Sequence, residues 1–513
     1  MCLYTSTVLA FRQAVPYTEG MRLPEKMKRI FTKRRLKIAG ISLAGVIVAF
    51  HAWLHFTNPY AHFSIVQQPY KTAVENGEVT VQKQFDLQAL DGSIARGLGY
   101  YKSGFLIVQN AYFGSYKAPS TTADGIIRDI HQLRFDPSKP YLISGDQFSV
   151  LYPRNLGVFY NSLLDPRTAH SQVDWENKQR IYLQSALYAL DAFSAAGDLT
   201  TTIVPVAPRA VALTQVHPGS VPSDTLYGMF YALAALQDSS HYGSDTPYKL
   251  QTVAATKRIV TERQADLRKL LDIYLTQVRD PQTGLVHAGL DLASARDGVV
   301  RDRAFYDNVV LWKTLSLARD LGISDIAEQD LIAMRTKLIQ LYWDDHEGHF
   351  RDDLSAKPAH TNYSSDWLLA LPTGFLNPND PADQPYLTRS VAFIRQQGID
   401  KPFPIKYKAS GQAVEAPWAV KTFVPNYGGD AIWSYWGAQY ITLLAQLSPL
   451  DTSYLADARH YRDIYRQKIE QYRGFPETFD AEGNFLQNFV YKSIRQTGWV
   501  VQFEQAEWAI KTR

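Results

Sequence analysis

The residue best placed for chemistry near the C-terminus is Glu477, a carboxylate between the aromatic residues Phe475 and Phe479. Gly474 can end the preceding helix and Pro476 cannot continue it, so Glu477 is predicted to lie on a loop at a helix end. Partial burial among apolar neighbours raises the pKa of a carboxyl group and suits it to proton transfer. The loop is therefore a candidate catalytic loop, the alternative being a solvated glutamate at a helix terminus.

A ring of helices is the scaffold that would position this loop. Apolar residues recur with a period near 3.6 through most of the chain after residue 152, which predicts about twelve helices in all. Segments 175–196, 248–278, 326–343 and 454–472 carry charges on one face, as outer helices do, and the helices between them are apolar nearly all round. The predicted fold is mainly α, with six outer and inner hairpins closed into an (α/α)6 toroid. An open α-solenoid or separate bundles are the alternatives, but no fixed repeat supports a solenoid.

In such a toroid, the loops that lead into the inner helices open on one face and meet at one pocket. Nearly every such entry pairs a polar or charged residue with an aromatic one, the mixture that binds sugars through stacking and hydrogen bonds. The candidate substrate-binding residues at these entries are Tyr152, Arg154, Asn155, Asp224, Arg303, Tyr306, Asp366, Trp367, Asp430 and Trp433. Asp224, Asp366 and Asp430 are equally good helix N-caps, so the prediction depends on their coincidence at one rim.

From about residue 146 onward the chain resembles the six-hairpin (α/α)6 glycosidases, especially glucoamylase-like enzymes and the trehalase and processing α-glucosidase relatives. The sequence YPRN at 152–155 resembles a tryptophan-proline-arginine-aspartate motif that holds the terminal sugar, with Asn155 in place of the aspartate. YDN at 306–308 is similar to the aspartate-asparagine pair of the processing-glucosidase type. Segment 429–433 resembles the entry of the tenth helix, with one extra residue before its tryptophan. FPE at 475–477 followed by GW at 498–499 resembles the base loop and final helix.

The resemblance implies a glycoside hydrolase that acts on an oligo- or polysaccharide, α-linked, by an inverting mechanism. In that mechanism one carboxylic acid protonates the leaving oxygen and a carboxylate roughly 6.5–9.5 Å away activates water. The resemblance implies Asp307 as the acid, Glu477 as the base and Trp499 as a further substrate-binding residue. Asp302 is the reserve acid, because two carboxylates at one loop-to-helix junction cannot be ranked from sequence.

Two other functions fit the same fold. A polysaccharide lyase needs a tyrosine or histidine base beside a charge-neutralising arginine, and Tyr306 with Arg303 leaves this open. The second alternative is a non-catalytic glycan-binding or envelope-assembly protein that keeps the toroid and the pocket. It is left open by Asn155, which removes a charge that glucoamylase-like enzymes use on the terminal sugar.

The composition predicts a large globular core and a membrane anchor. The chain has 513 residues, of which 46% are hydrophobic, and its net charge of +3 gives no indication of nucleic acid binding. A basic N-terminus at 1–37 precedes the apolar run 38–56, which is long enough to cross a bilayer. We expect a single-pass signal anchor with a cytoplasmic N-terminus and an extracytoplasmic catalytic domain at 152–513. A cleaved signal peptide is the alternative.

No cofactor or metal is predicted. The sequence contains no HExxH, CxxC, P-loop or dinucleotide motif, and the twelve histidines have no ligand spacing. The sole cysteine, Cys2, would lie on the cytoplasmic side, so the exported part would have no disulfide. Alternating stretches within residues 61–151 predict short strands, among them 141–143 and 148–151, in a small β-containing segment packed on the barrel.

Overall fold

The computed structural model describes residues 40–49, 67–75, 78–90, 96–97, 99–101, 117–145, 150–217, 219–238, 251–292, 296–412, 415–424, 426–488 and 491–513. This part of the chain is mainly helical with a small β component, as the sequence predicted. Its α-helices, in chain order, are α1 (Ala123–Arg134), α2 (Arg154–Gly157), α3 (Gln172–Ala196), α4 (Thr225–Gln237), α5 (Val253–Glu262), α6 (Gln264–Val278), α7 (Phe305–Asp320), α8 (Glu328–Tyr342), α9 (Gln384–Gln396), α10 (Trp418–Phe423), α11 (Ser434–Leu447), α12 (Thr452–Tyr472) and α13 (Val500–Lys511).

The inner ring consists of α2, α4, α7, the 3₁₀ helix Ser365–Ala370, α11 and α13, and each of these contacts the next. The ring closes between its two ends, where Trp499 at the start of α13 stacks on Phe159 just after α2, with ring centroids 4.5 Å apart. Gln502 of α13 also donates to the Phe159 carbonyl. The remaining long helices alternate with the inner elements along the chain. Contacts within the chain itself thus establish the predicted toroid.

The distribution of apolar residues explains why each helix takes its ring position. The inner helix α11 buries every residue except Gln446, and its sequence is apolar or small nearly all round. The outer helix α12 buries only one stripe, which consists of Tyr454, Ala458, Tyr461, Tyr465 and Ile469. A helix with one apolar stripe covers a core, whereas a helix that is apolar all round must lie within it.

Helix α3 departs from the predicted outer character because the N-terminal strands cover it. Strand β1 (Tyr70–Glu75) pairs with β2 (Glu78–Lys83), and Thr72 of β1 accepts hydrogen bonds from Arg180 and Gln184 of α3. As a result, α3 buries polar residues such as Gln179 that an uncovered outer helix would expose.

A second sheet contains two strands that lie between α3 and α4 in the chain, and these two strands were not predicted. Strand β3 (Gln88–Leu90) runs parallel to β5 (Ala210–Thr214), which is antiparallel to β4 (Thr202–Ala207). Of the two strands predicted nearby, segment 141–143 is irregular, which corrects that prediction. The other lies partly outside the described residues, but Leu151 forms a β-bridge with Ile203.

Short two-residue strands complete the fold: β6 (Trp343–Asp344) pairs with β7 (His349–Phe350), and β8 (Ile432–Trp433) pairs with β9 (Thr478–Phe479). The β8–β9 pair joins the loop before α11 to the loop before α13. It therefore brings the predicted tenth-helix entry beside the loop that carries Glu477.

The predicted membrane segment at 38–56 is described only in part. Residues 40–49 form an exposed helical run, and the rest of that segment and the basic stretch 1–37 lie outside the described residues. Within the described part of the chain, no helix combines the length and the apolar character that crossing a membrane requires.

Candidate functional site

A cavity of about 250 Å³ lies at the end of the toroid where the inner elements begin. Its walls come from the segments before α2, α7, α11 and α13 and from strands β4 and β5. Six residues predicted from the sequence lie in its lining: Tyr152, Arg154, Asn155, Trp433, Glu477 and Trp499. The segments before four of the six inner elements therefore meet at one pocket, whereas the predicted residues at the start of α4 and of the 3₁₀ helix do not line it.

Glu477 lies in the cavity wall on a rigidly held loop. Its backbone N–H donates to the Ile494 carbonyl at 2.8 Å, and its own carbonyl accepts from the Ser434 N–H at 2.9 Å. The side chain is buried, and Tyr491 donates to its Oε2 at 3.3 Å. Burial raises the pKa of Glu477 to about 7, against the opposing effect of its hydrogen bonds.

The glycine before this loop has a steric role. Helix α12 ends at Tyr472, and Arg473 takes the left-handed conformation that terminates it, with φ of 54°. Gly474 then passes so close to another loop that a Cβ there would lie 2.4 Å from the Arg495 carbonyl oxygen. The predicted loop after a helix end is confirmed, but Gly474 permits a close backbone approach instead of forming the cap.

Asp297 is a second carboxylate in the cavity wall, and the sequence analysis missed it. Arg154 donates from both terminal nitrogens to both Asp297 oxygens, at 2.7 Å each. Arg154 is buried, whereas about one fifth (21%) of the Asp297 side chain is exposed. The residue stands in the loop before α7, beside Gly298 with φ of 75°. Its position before an inner helix was the only sequence signal.

Asp307, the predicted acid, lies at the start of α7 and is fully buried. Ser223 donates to its Oδ1 at 2.6 Å and Arg301 donates to its Oδ2 at 3.3 Å. Burial raises the pKa of Asp307 to about 6, with Arg301 and Ser223 opposing the rise. Among the described residues, Asp307 is not part of the cavity lining.

Asp224 and Tyr306 form a buried pair near the cavity wall. Tyr306 donates to Asp224 Oδ2 at 3.1 Å, and that oxygen lies 4.0 Å from Arg154 Nη1. Asp224 Oδ1 is buried without a hydrogen-bond partner. Burial raises the pKa of Asp224 to about 7, partly offset by Arg154. Asp224 therefore supports the arginine that holds Asp297, and neither Asp224 nor Tyr306 is part of the cavity lining.

Asp366 and Trp367 also lie outside the cavity lining. Asp366 is buried and accepts from Tyr407 at 2.8 Å and from Arg301 at 3.1 Å, and Tyr407 does line the cavity. Trp367 belongs to the core, where it stacks on Phe350 with centroids 6.1 Å apart. Asp366 therefore lies behind the cavity wall, and Trp367 lies in the hydrophobic core.

Asp302, Arg303 and Asp430 are the remaining predicted residues. Arg303 pairs with Asp280 at 3.2 Å and with Asp302 at 3.4 Å, and the Asp302 side chain is 39% exposed. Asp430 is half-buried. None of the three is among the described residues that line the cavity.

Two tryptophans form an aromatic part of the cavity wall. Trp433 and Trp499 lie nearly parallel, with centroids 6.3 Å apart and an interplanar angle of 12°. Trp433 donates from Nε1 to the Tyr427 carbonyl at 3.0 Å, whereas Trp499 Nε1 is buried and has no hydrogen-bond partner among the described residues. Flat aromatic faces beside hydrogen-bonding groups suit a pyranose ring.

Asn155, which replaces the aspartate of the resembling motif, donates from its amide to the Ser144 hydroxyl, and both residues line the cavity. Among the described lining residues, Asp297 and Glu477 are the two carboxylates. The site therefore offers two carboxylates, a buried arginine and stacked aromatic rings, a set that supports acid–base chemistry on a sugar.

Comparison with known proteins yields no matching family model and no matching curated protein. Similar solved structures include a family 63 mannosylglycerate hydrolase from Thermus thermophilus in complex with glucose, at 14% identity and a TM-score of 0.44, covering 75% of this chain and 99% of that one. A family 15 glucoamylase from Hypocrea jecorina is 12% identical, with a TM-score of 0.44 and 73% and 67% coverage. Cellobiose 2-epimerase from Bacillus thermoamylovorans is 11% identical, with a TM-score of 0.42 and 79% and 93% coverage.

These three structures share between 11% and 14% sequence identity with the chain. Two are hydrolases and one is an epimerase, and every TM-score is below 0.5. These structural similarities do not establish an activity for this chain. The contacts of its own inner ring establish the toroid.

Proposed function

We propose that the chain is a glycoside hydrolase that acts on an α-linked oligo- or polysaccharide. The observation that carries the proposal is Glu477, a buried carboxylate with a pKa raised to about 7, in the wall of a cavity lined by parallel tryptophans. A general acid or base works best when its pKa lies near the working pH. The tryptophans supply stacking faces, and Arg154 with Asp297 supplies fixed polar groups.

The proposed mechanism is inverting hydrolysis with Glu477 as the base. In this mechanism Glu477 takes a proton from a water molecule, that water attacks the anomeric carbon, and a carboxylic acid on the other side protonates the leaving oxygen. The glycosidic C–O bond breaks and a new C–O bond forms, so the anomeric configuration inverts. The raised pKa makes the Glu477 carboxylate a stronger base than an exposed glutamate.

Asp307 and Asp297 are the two possible acids, and their surroundings differ. Asp307 has the raised pKa that an acid needs, but it lies behind the cavity wall and would have to reach the substrate after a local rearrangement. Asp297 lies in the wall, but both of its oxygens accept hydrogen bonds from Arg154. Protonation of Asp297 would weaken these hydrogen bonds. Substitution of Asp307 and of Asp297 in separate variants distinguishes which of the two is the acid.

The test is release of reducing sugar from a panel of α- and β-linked oligosaccharides by the full chain in mild detergent. The variants are Glu477→Gln, Asp307→Asn and Asp297→Asn, with the exposed Glu482→Gln of the same loop as the matched control. We expect Glu477→Gln and the variant of the true acid each to lower kcat by roughly 10²–10⁴-fold, with native circular dichroism. Glu482→Gln should keep wild-type activity.

The configuration of the first-formed product tests the inverting step. Nuclear magnetic resonance should show the anomer opposite to that of the substrate. Retention of configuration would overturn inversion, and full activity of Glu477→Gln would overturn the assigned base. Absence of turnover together with saturable binding to a glycan would replace the hydrolase by a non-catalytic glycan-binding protein.

We also propose that the protein is anchored in the membrane by residues 38–56, with residues 152–513 outside the cytoplasm. The basic residues clustered before this apolar run favour a cytoplasmic N-terminus. The expected result is a membrane-fraction protein whose C-terminal part is digested by protease added to intact cells. Protection of that part until the cells are lysed would contradict the orientation.

A further inference from the structure

A cluster of two histidines and one glutamate joins α1, α13 and the segment before α3, and none of the three residues lines the cavity. His131 Nε2 is 2.7 Å from Glu504 Oε2, and His170 Nε2 is 2.9 Å from Glu504 Oε1. The ligand atoms of the three residues all lie within 4.8 Å of one another. Two imidazoles and a carboxylate are a donor set that binds Zn²⁺ in proteins.

The surroundings of His131 orient its ring toward the centre of this cluster. Its Nδ1 lies 3.4 Å from Asp174 Oδ2, and Phe135 packs edge-on against the ring at 5.0 Å between centroids. A carboxylate on the outer nitrogen fixes the tautomer that leaves Nε2 free for a metal. Asp174 also accepts from the His170 N–H at 3.0 Å, so one carboxylate positions both histidine-bearing segments.

The charge balance of the cluster favours a cation. Glu504 and Asp174 are two carboxylates, and the cationic side chain beside them is the buried Lys178, whose Nζ is 3.2 Å from Asp174 Oδ2. Lys178 also donates to the Thr168 carbonyl at 2.8 Å. The two carboxylates exceed this one lysine by a single negative charge, which a bound cation would balance.

We propose that His131, His170 and Glu504 bind a divalent transition-metal ion of the Zn²⁺ type. The ion would take Nε2 of each histidine and the Glu504 carboxylate, with water at the fourth position on the side of the exposed His170. Binding requires the Nε2 atoms of both histidines to be free of protons, so a proton shared between either atom and Glu504 would leave to the solvent, while His131 keeps the proton on Nδ1 toward Asp174. Metal–ligand bonds of roughly 2.0–2.1 Å hold donor atoms about 3.3 Å apart. Each histidine nitrogen would therefore move a few tenths of an ångström away from Glu504, and the ligand atoms, which now lie within 4.8 Å of one another, would adopt that common spacing.

The site has a structural consequence because its ligands are far apart in the chain. His131 belongs to the first outer helix α1, and Glu504 belongs to the last inner helix α13, 373 residues later. A bound ion would therefore fasten the two ends of the toroid together. Trp499, just before α13, lines the cavity. The bound ion would therefore also fix the position of one wall of the candidate site. The metal proposal is independent of the proposed hydrolase activity.

The test is titration of the EDTA-dialysed full chain with Zn²⁺ by isothermal titration calorimetry, with the melting temperature measured in parallel. We expect one equivalent to bind and the melting temperature to rise with Zn²⁺ concentration. His170→Ala removes the exposed ligand and should weaken Zn²⁺ binding roughly 100-fold or more. His346→Ala is the matched control, because His346 is an exposed histidine whose Nδ1 is 3.2 Å from Glu347. It should bind as the wild type does.

Co²⁺ provides a second readout that does not depend on the stability of a variant. The wild-type chain loaded with Co²⁺ should show the visible absorption of a four-coordinate site, and excess Zn²⁺ should remove it. No saturable Zn²⁺ binding by the wild type would overturn the site. Equal binding by His170→Ala and wild type would also overturn it, because the ion would then be held elsewhere.

Discussion

Arg154 holds Asp297 through two parallel hydrogen bonds of 2.7 Å, and the two residues lie 143 positions apart in the chain. The other carboxylate near this guanidinium is Asp224, 4.0 Å from Nη1. Arg154 is 9% exposed, whereas the Asp297 side chain is 21% exposed. Water can therefore hydrate the carboxylate more easily than the guanidinium, and the two partners should not be equally costly to remove.

Asp297→Asn is expected to lower the free energy of unfolding by roughly 3 kcal/mol, because it takes the bidentate counter-charge from a buried arginine. Arg154→Gln should cost less, since Asp297 can be hydrated and Asp224 can take up a proton near neutral pH. Urea unfolding of the two variants and the wild type at pH 7 measures the difference. Equal losses, or a larger loss for Arg154→Gln, would contradict this account.

The raised pKa of Glu477 predicts a pH-dependent stability. Its pKa is about 7 in the folded chain against the usual 4.5, so the folded state binds more protons than the unfolded state between these two values. The free energy of unfolding contributed by Glu477 therefore falls as pH rises from 4.5 to 7. The free energy of unfolding of Glu477→Gln, measured relative to that of the wild type, should therefore rise by roughly 2–3 kcal/mol between pH 4.5 and pH 8. The pH dependence of the free energy of unfolding of Glu482→Gln should match that of the wild type. The same match for Glu477→Gln would contradict the effect of burial on Glu477.

The same carboxyl group should control the pH dependence of catalysis. If Glu477 is the base, it must be ionised, so kcat/KM should rise with pH through about 7 and then level off before the acid loses its proton. The measurement is kcat/KM from pH 5 to pH 9 on the best substrate of the panel. A fall through pH 7 would instead make Glu477 the acid.

Trp433 and Trp499 permit a matched comparison within the aromatic wall. Phenylalanine keeps a stacking ring at either position but removes the indole N–H, which in Trp433 donates to the Tyr427 carbonyl and in Trp499 has no partner. Trp433→Phe should therefore cost about 1 kcal/mol more stability than Trp499→Phe. Thermal unfolding of both variants tests this, and a larger loss for Trp499→Phe would contradict it.

Local signals explain why some of the site could be predicted. Pro476 cannot continue a helix beyond its first turn, and the apolar period of 3.6 marks inner and outer helices without knowledge of their partners. These signals placed Glu477 on a loop, and the toroid then predicted Trp433 and Arg154 at the same rim. All three residues line the cavity.

The remaining parts depend on contacts between distant segments. Asp297 is marked only by its pairing with Arg154, and no local pattern carries that information. Asp307 is held by Ser223, which comes from a distant loop, and by Arg301, which stands next to Asp302 in the loop before α7. The inward position of Asp307 therefore depends in part on a contact that the local sequence does not show. Strands β4 and β5 are buried on both faces, so they lack the alternation of apolar and polar residues that reveals a half-exposed strand.

Asn155 permits a test of the sugar binding that the resemblance of its motif implies. Its amide donates to the Ser144 hydroxyl, and a hydroxyl can donate as well as accept, so Asn155→Asp can keep this contact with the direction reversed. The new carboxylate would provide a charged acceptor for a sugar hydroxyl, and charge-assisted hydrogen bonds are roughly twice as strong as neutral ones. We therefore expect kcat/KM on glucose-ended oligosaccharides to rise about tenfold. Asn155→Ala is the control, because it loses the contact with Ser144 and gains no charge. A fall in kcat/KM for Asn155→Asp on every substrate would mean that the amide itself recognises the natural sugar, through an N–H that the carboxylate cannot supply.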